Sequence, residues 1–113
     1  MKIVTLQWNI GGGKIREVNS DPGGESSYSL EGFDYIADLI GKLSPAIITL
    51  VETHANDTKI QAEDLAKALG YGYWINDVYD QSHIVQGMGL GQAIISRFPI
   101  TSHNFGLFFN PKF

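Results

Sequence analysis

The chain contains no cysteine, which removes disulfides, thiolate nucleophiles and cysteine-ligated zinc together. That absence fits a reducing compartment. Basic residues are also scarce: eight Lys and Arg stand against twelve Asp and Glu, a formal charge of -4. No segment gathers them into a stripe that could neutralise many phosphates, so a strong sequence-independent grip on nucleic acid is not expected from this chain. An anionic substrate stays open to it, because a bound divalent cation can supply the positive charge that the side chains lack. Long apolar runs are missing as well. Stretches such as 46–48 and 107–109 fall far below the ~20 residues of a membrane span. Met1-Lys2 leads straight into a strand-like run without the apolar region of a signal peptide. Together these absences predict a cytoplasmic protein.

What is present is an ordinary globular composition, with 43% hydrophobic, 18% charged and 12% aromatic residues in a chain of 113. That length accommodates one domain with one modest core. Residues 2–10 carry the β-branched and bulky side chains of a buried strand, ending in Trp8-Asn9-Ile10. Residues 11–28, rich in Gly, Pro and Ser, read as a long loop, and loops of that length in compact domains are often functional. The period then changes. Phe33, Ile36, Ile40 and Leu43 share one helical face, with Ser29 placed as N-cap and Pro45 past the end.

Residues 46–51 read as a strand too continuously apolar to have a solvent face. Asp57 is the expected cap of a second helix with Ala62, Leu65, Ala66 and Leu69 inward and Gly70 as its stop. An aromatic strand at 71–78 follows, then a glycine-rich loop through Gly87, Gly89 and Gly91, a strand at 92–96 and a last strand at 100–109. Strands alternating with helices predict an α/β fold with parallel units joined by right-handed crossovers.

That topology sets the first two long strands side by side, so that Asn9 and Glu52 emerge together at carboxyl ends. In open α/β sheets this edge binds ligands. Glu52 follows six apolar residues, where a carboxylate is costly unless something pairs with it. Mg2+ is a suitable partner, since it takes one or two carboxylates and keeps several waters. Against this stands the ordinary reading: a solvated Glu and a turn-forming Asn. The other charged residues attract plainer readings, Lys14 and Arg16 as solvated charges and Arg97 as half of a structural ion pair. His83 and His103 have no companions at metal-ligand spacing, and Gly87–Gly91 lacks the Gly-Lys-Ser/Thr of a phosphate loop.

Three stretches taken in order add weight to the site: LQWNIGGG at 6–13, SPAIITLVETH at 44–54 and GQAIISRFPI at 91–100. Together they resemble the first half of the endonuclease/exonuclease/phosphatase superfamily, with its deoxyribonuclease I-like fold. Val51 and Ala46 stand where that pattern usually has Gln and Asp. The resemblance implies the N-terminal half of a four-layered α/β sandwich, a mixed sheet with two helices packed on one face. It implies a hydrolase of phosphodiesters or phosphomonoesters, nucleic acid among the candidate substrates, that uses Mg2+ or Mn2+.

By the same resemblance Glu52 is the metal ligand, Asn9 helps arrange metal and scissile phosphate, and His54 lines the substrate groove. The family domain normally runs to roughly 250 residues, within single-domain range, and its Gly-Asp-x-Asn and Ser-Asp-His motifs belong to a second half not found in these 113 residues. The chain is therefore expected to be the N-terminal part of such a domain, inactive alone and completed by the missing half. The rival expectation is a non-catalytic interaction module with the same fold.

Overall fold

Ile48 and Leu50 point to one side of a central strand and are fully buried, while Ile47, Thr49 and Val51 point to the other and are half-buried. The fold is built on that asymmetry. The structure, a computed structural model, describes residues 2–13, 15–16, 28–29, 32–83 and 86–104. In chain order it contains β1 (Thr5–Asn9), a short 3-10 turn (Gly11–Gly13), β2 (Ile15–Arg16), β3 (Tyr28–Ser29) and α1 (Gly32–Leu43). Then come β4 (Ile47–Ala55), α2 (Gln61–Leu69), β5 (Tyr73–Gln81) and β6 (Gly89–Ser96).

The main sheet has the order β1-β4-β6-β5. β1 and β4 are parallel, joined through α1 as the crossover rule requires. β6 runs antiparallel to both β4 and β5, so the sheet is mixed. Side chains directly across from one another share a face. One face therefore carries the row Leu6, Ile48, Ile95, Trp74 and the row Trp8, Leu50, Ala93, Asn76. Ile36 and Ile40 of α1 and Ala62, Leu65 and Ala66 of α2 close over it to make the core. Each fully buried Ile or Leu contributes about 1.5–3 kcal/mol by leaving water. The opposite face, with Thr5, Ile47, Gln7, Thr49 and Ile94, is covered by no helix among the described residues.

Several boundaries differ from expectation for identifiable reasons. Ser29 does not cap α1: its backbone pairs with Ile15 in the small β2-β3 ladder, and the helix starts at Gly32. Asp57 caps nothing either, because α2 starts after Ile60 with no side-chain cap. Its neighbour Asn56 organises the turn, accepting at 2.9 and 2.8 Å from the N–H groups of Thr58 and Lys59. Gly70 does stop α2, in the left-handed conformation at φ 77, donating to Ala66 and Lys67. Leu43 faces solvent, because the chain leaves α1 through Ser44 at φ 48. Gly89 and Gly91 lie inside β6 and not in a loop. Residues 100–104 form no strand, and 105–109 lie outside the described residues. Arg97 makes no ion pair among the described residues; it stacks 4.9 Å over the Tyr71 ring and donates at 2.7 Å to Ser44.

Candidate active site

β1 ends at Asn9, which is paired with Val51. β4 does not end there. It continues through Glu52 to Ala55, and the register against β6 shifts between Val51 and Thr53. Glu52 is the extra residue of this β-bulge, with φ 61. Bulges bend a strand and re-aim a side chain, and they concentrate beside active sites. A non-glycine residue in that region carries backbone strain, which survives only where the surroundings fix it. The expectation that Glu52 would emerge at a strand end is thus corrected: it lies within β4, half-buried, lifted out of register beside the end of β1.

Asn9 is exposed, and its Oδ1 accepts the N–H of Gly11 at 3.0 Å. It is a turn former after all, and that role orients it. With Oδ1 engaged by a donor, the group that remains to meet a ligand is the Nδ2 amide, a donor suited to an anionic oxygen. Asn9, Val51, Gln92 and Asp77 form one crosswise row on the helix-free face. At the far end of that row Asp77 is paired with His103 at 2.6 Å, beside a cavity of about 160 Å³ lined also by Thr49, Ile75 and Gln92. Nothing in the local sequence marks this pair, whose members are 26 positions apart (103 − 77).

His54 is fully buried, so its ring faces the protein interior and not a groove. Its Nε2 lies 2.6 Å from the Ser82 hydroxyl. A Cβ on Gly12 would sit 2.3 Å from the ring, so the glycine turn passes directly over the imidazole. Only glycine fits, since Gly12 also has φ 74. Gln61, the first residue of α2, completes the wall: its Oε1 accepts from the His54 N–H at 2.8 Å and its Nε2 donates to the Gly12 carbonyl at 2.6 Å. Sequence reasoning missed Gln61 and Ser82, because their partners are distant in the chain. Lys14 lies outside the described residues, His83 is exposed, and the backbone of Arg16 pairs with Tyr28.

A bulged carboxylate beside a parallel strand end, on a mixed sheet with helices on one face, describes one half of an α/β sandwich. The family model for the endonuclease/exonuclease/phosphatase family matches residues 6–112, and the chain belongs to that family, whose members are generally hydrolytic phosphoesterases. No curated protein matches it. Among solved structures it is similar to an endonuclease/exonuclease/phosphatase from Beutenbergia cavernae DSM 12333, with TM-score 0.62 and 22% identity over 89% of this chain and 27% of that one. It is also similar to an endonuclease/exonuclease/phosphatase family protein from Leptotrichia buccalis C-1013-b, with TM-score 0.63 and 16% identity over 89% of this chain and 40% of that one. The chain thus spans less than half the length of either, which fits an N-terminal half of the fold. No helix among the described residues is long and apolar enough to cross a membrane.

Proposed function

We propose that this chain forms one wall of the active site of a divalent-cation-dependent phosphoester hydrolase, with Glu52 as metal ligand and Asn9 as phosphate-binding donor. The observation that carries the reading is the bulge: β4 holds a strained carboxylate next to the end of β1, where a plain strand would be cheaper. The residues fit the cation as a shared site. Among the described residues no three His, Cys, Asp or Glu side chains cluster for a metal, but Mg2+ needs only one or two carboxylates and takes water for the rest. Mn2+ accepts similar oxygen ligands. When bound, the cation supplies neutralisation of charge on the phosphate and leaving oxygens.

The remaining work falls to this chain's own groups. Asn9 directs Nδ2 toward the phosphate oxygens while its Oδ1 holds the glycine turn. Glu52 fixes the position of positive charge relative to that donor. His54, buried, serves by the wall it builds under the turn and not by touching substrate. Proton transfer to and from water is assigned to groups in the remainder of the domain, so the chain alone is inactive. The substrate is a phosphate ester, and with a net charge of -4 a strong sequence-independent grip on nucleic acid is not expected from this chain's own side chains.

In the protein carrying the complete domain, Glu52→Ala should reduce Mg2+-dependent hydrolysis of bis(p-nitrophenyl) phosphate to background while the fold, read by circular dichroism, persists. Unchanged turnover would remove Glu52 from the role. Absence of any hydrolysis by the complete wild-type protein, on diesters and monoesters alike, would favour a non-catalytic module.

A further inference from the structure

The parallel pair β1-β4 ends unevenly. Asn9 is the last residue of β1, opposite Val51, while β4 runs on to Ala55. Ile10 N–H still reaches the Val51 carbonyl at 3.0 Å. Beyond that no strand among the described residues lies beside this edge of β4, and at His54 the donor on the edge is met by a side chain, Oε1 of Gln61 at 2.8 Å. The same carboxamide donates from Nε2 to the Gly12 carbonyl at 2.6 Å. A carboxamide offers one carbonyl and one N–H side, as a peptide group does. Gln61 therefore stands where the next residues of a longer β1 would pair, between the edge of β4 and the glycine turn.

This matters because Glu52 sits at φ 61, a conformation that persists only when flanking contacts determine it. Besides the ladder to β6, three hydrogen bonds among the described residues flank it: Ile10 to the Val51 carbonyl, Thr53 Oγ1 to Asn76 Oδ1 at 2.7 Å, and His54 N–H to Gln61. Among them the Gln61 amide alone fixes two things at once, the strand that follows Glu52 and the turn that follows Asn9. Its bonds are partly buried, so water does not replace them without loss.

We propose that Gln61 is a positioning residue that sets the Glu52 carboxylate against Asn9, by bridging the strand after one to the turn after the other. The inference rests on the reading of Glu52 as a metal ligand. Groups that orient a ligand from behind commonly change metal affinity about 10–100-fold when lost.

The test is Mn2+ binding by the complete protein, followed by electron paramagnetic resonance, with Gln61→Met, Gln61→Glu and Glu52→Gln. Gln61→Met keeps the length and removes both bonds, and about a tenfold or greater loss of Mn2+ affinity is expected. Gln61→Glu keeps the acceptor for His54 and loses the donor to Gly12, and a smaller loss is expected. A fall in unfolding midpoint with Mn2+ affinity within twofold of wild type in both variants would overturn the proposal, leaving Gln61 a purely structural bridge. Should Gln61→Met fail to fold, unaltered Mn2+ binding by Gln61→Glu alone overturns it. If Glu52→Gln binds Mn2+ like wild type, the metal reading itself has failed, an outcome distinguishable from failure at Gln61.

Discussion

On the proposed reading Glu52 combines two roles that pull against each other. Its φ of 61 is a conformation that costs an L-residue about 1–2 kcal/mol, which a strand residue serving only the fold would not carry. Replacing it with glycine removes that cost, and glycine's greater loss of backbone freedom, roughly 0.5–1 kcal/mol, offsets only part. Glu52→Gly should therefore raise stability relative to Glu52→Ala by about 0.5–1 kcal/mol, although both lose the carboxylate. Urea midpoints of the two variants decide the matter; equal midpoints would mean that the bulge is unstrained. Gly12 is the opposite case, where the missing side chain is the requirement. Ala at Gly12 meets a positive φ and a buried, fully enclosed imidazole 2.3 Å away. Left-handed strain and overpacking together predict a loss on the order of 2–4 kcal/mol. Ala at Gly11, with φ 55 and open space around it, should lose only the first part. Denaturant unfolding of the pair isolates the close approach to His54, and similar losses would count against it.

Elements were readable in proportion to how local their causes are. Both helices follow from the 3.6-residue spacing of Ile36 and Ile40, and of Ala62, Leu65 and Ala66, all of which the structure buries. Gly70 ends α2 by a property of glycine alone. The expected caps Ser29 and Asp57 failed because other contacts decide the helix starts: the Ser29 backbone joins the β2-β3 ladder, and the neighbouring Asn56 side chain organises the turn before α2. Adjacency of β1 and β4, and hence of Asn9 and Glu52, followed from the crossover rule, and the superfamily resemblance weighted those two residues. The bulge had no such signal, since an extra residue within an apolar strand leaves the composition unchanged. The supports of the site were invisible for a related reason: Gln61 meets Gly12 across 49 positions and His54 meets Ser82 across 28.

The β5-β6 hairpin shows the same dependence on distant contacts. A Cβ at Gly91 would lie 2.1 Å from the Asp77 carbonyl oxygen, backbone that cannot swing away. Gly91→Ala should shift the pairing and cost on the order of 1–3 kcal/mol, with loss of the slowest-exchanging amides of β5 in hydrogen exchange. Exchange rates in β5 matching wild type would show that the hairpin absorbs the methyl group.

At the scale of the whole molecule the two faces of the sheet are unequal. Ile95 is buried against the helices with no exposed surface, while its neighbour Ile94 points to the helix-free face and is half-buried. The solved relatives extend far beyond the 27% and 40% of their chains that this one matches, so further domain is expected to cover that face. The substitution costs of the two isoleucines then diverge by context. Ile95→Ala should lose about 2–5 kcal/mol whether the chain is alone or part of the complete protein, because its cavity forms in the same core. Ile94→Ala should cost roughly 1 kcal/mol in the chain alone, in proportion to the smaller apolar area it hides, and rise toward the same 2–5 kcal/mol range in the complete protein. Chemical denaturation of both variants in both contexts measures the difference. An Ile94→Ala cost that stays small in the complete protein would mean that the rest of the domain leaves this face open, and with it the Asn9 row that the proposed site needs enclosed.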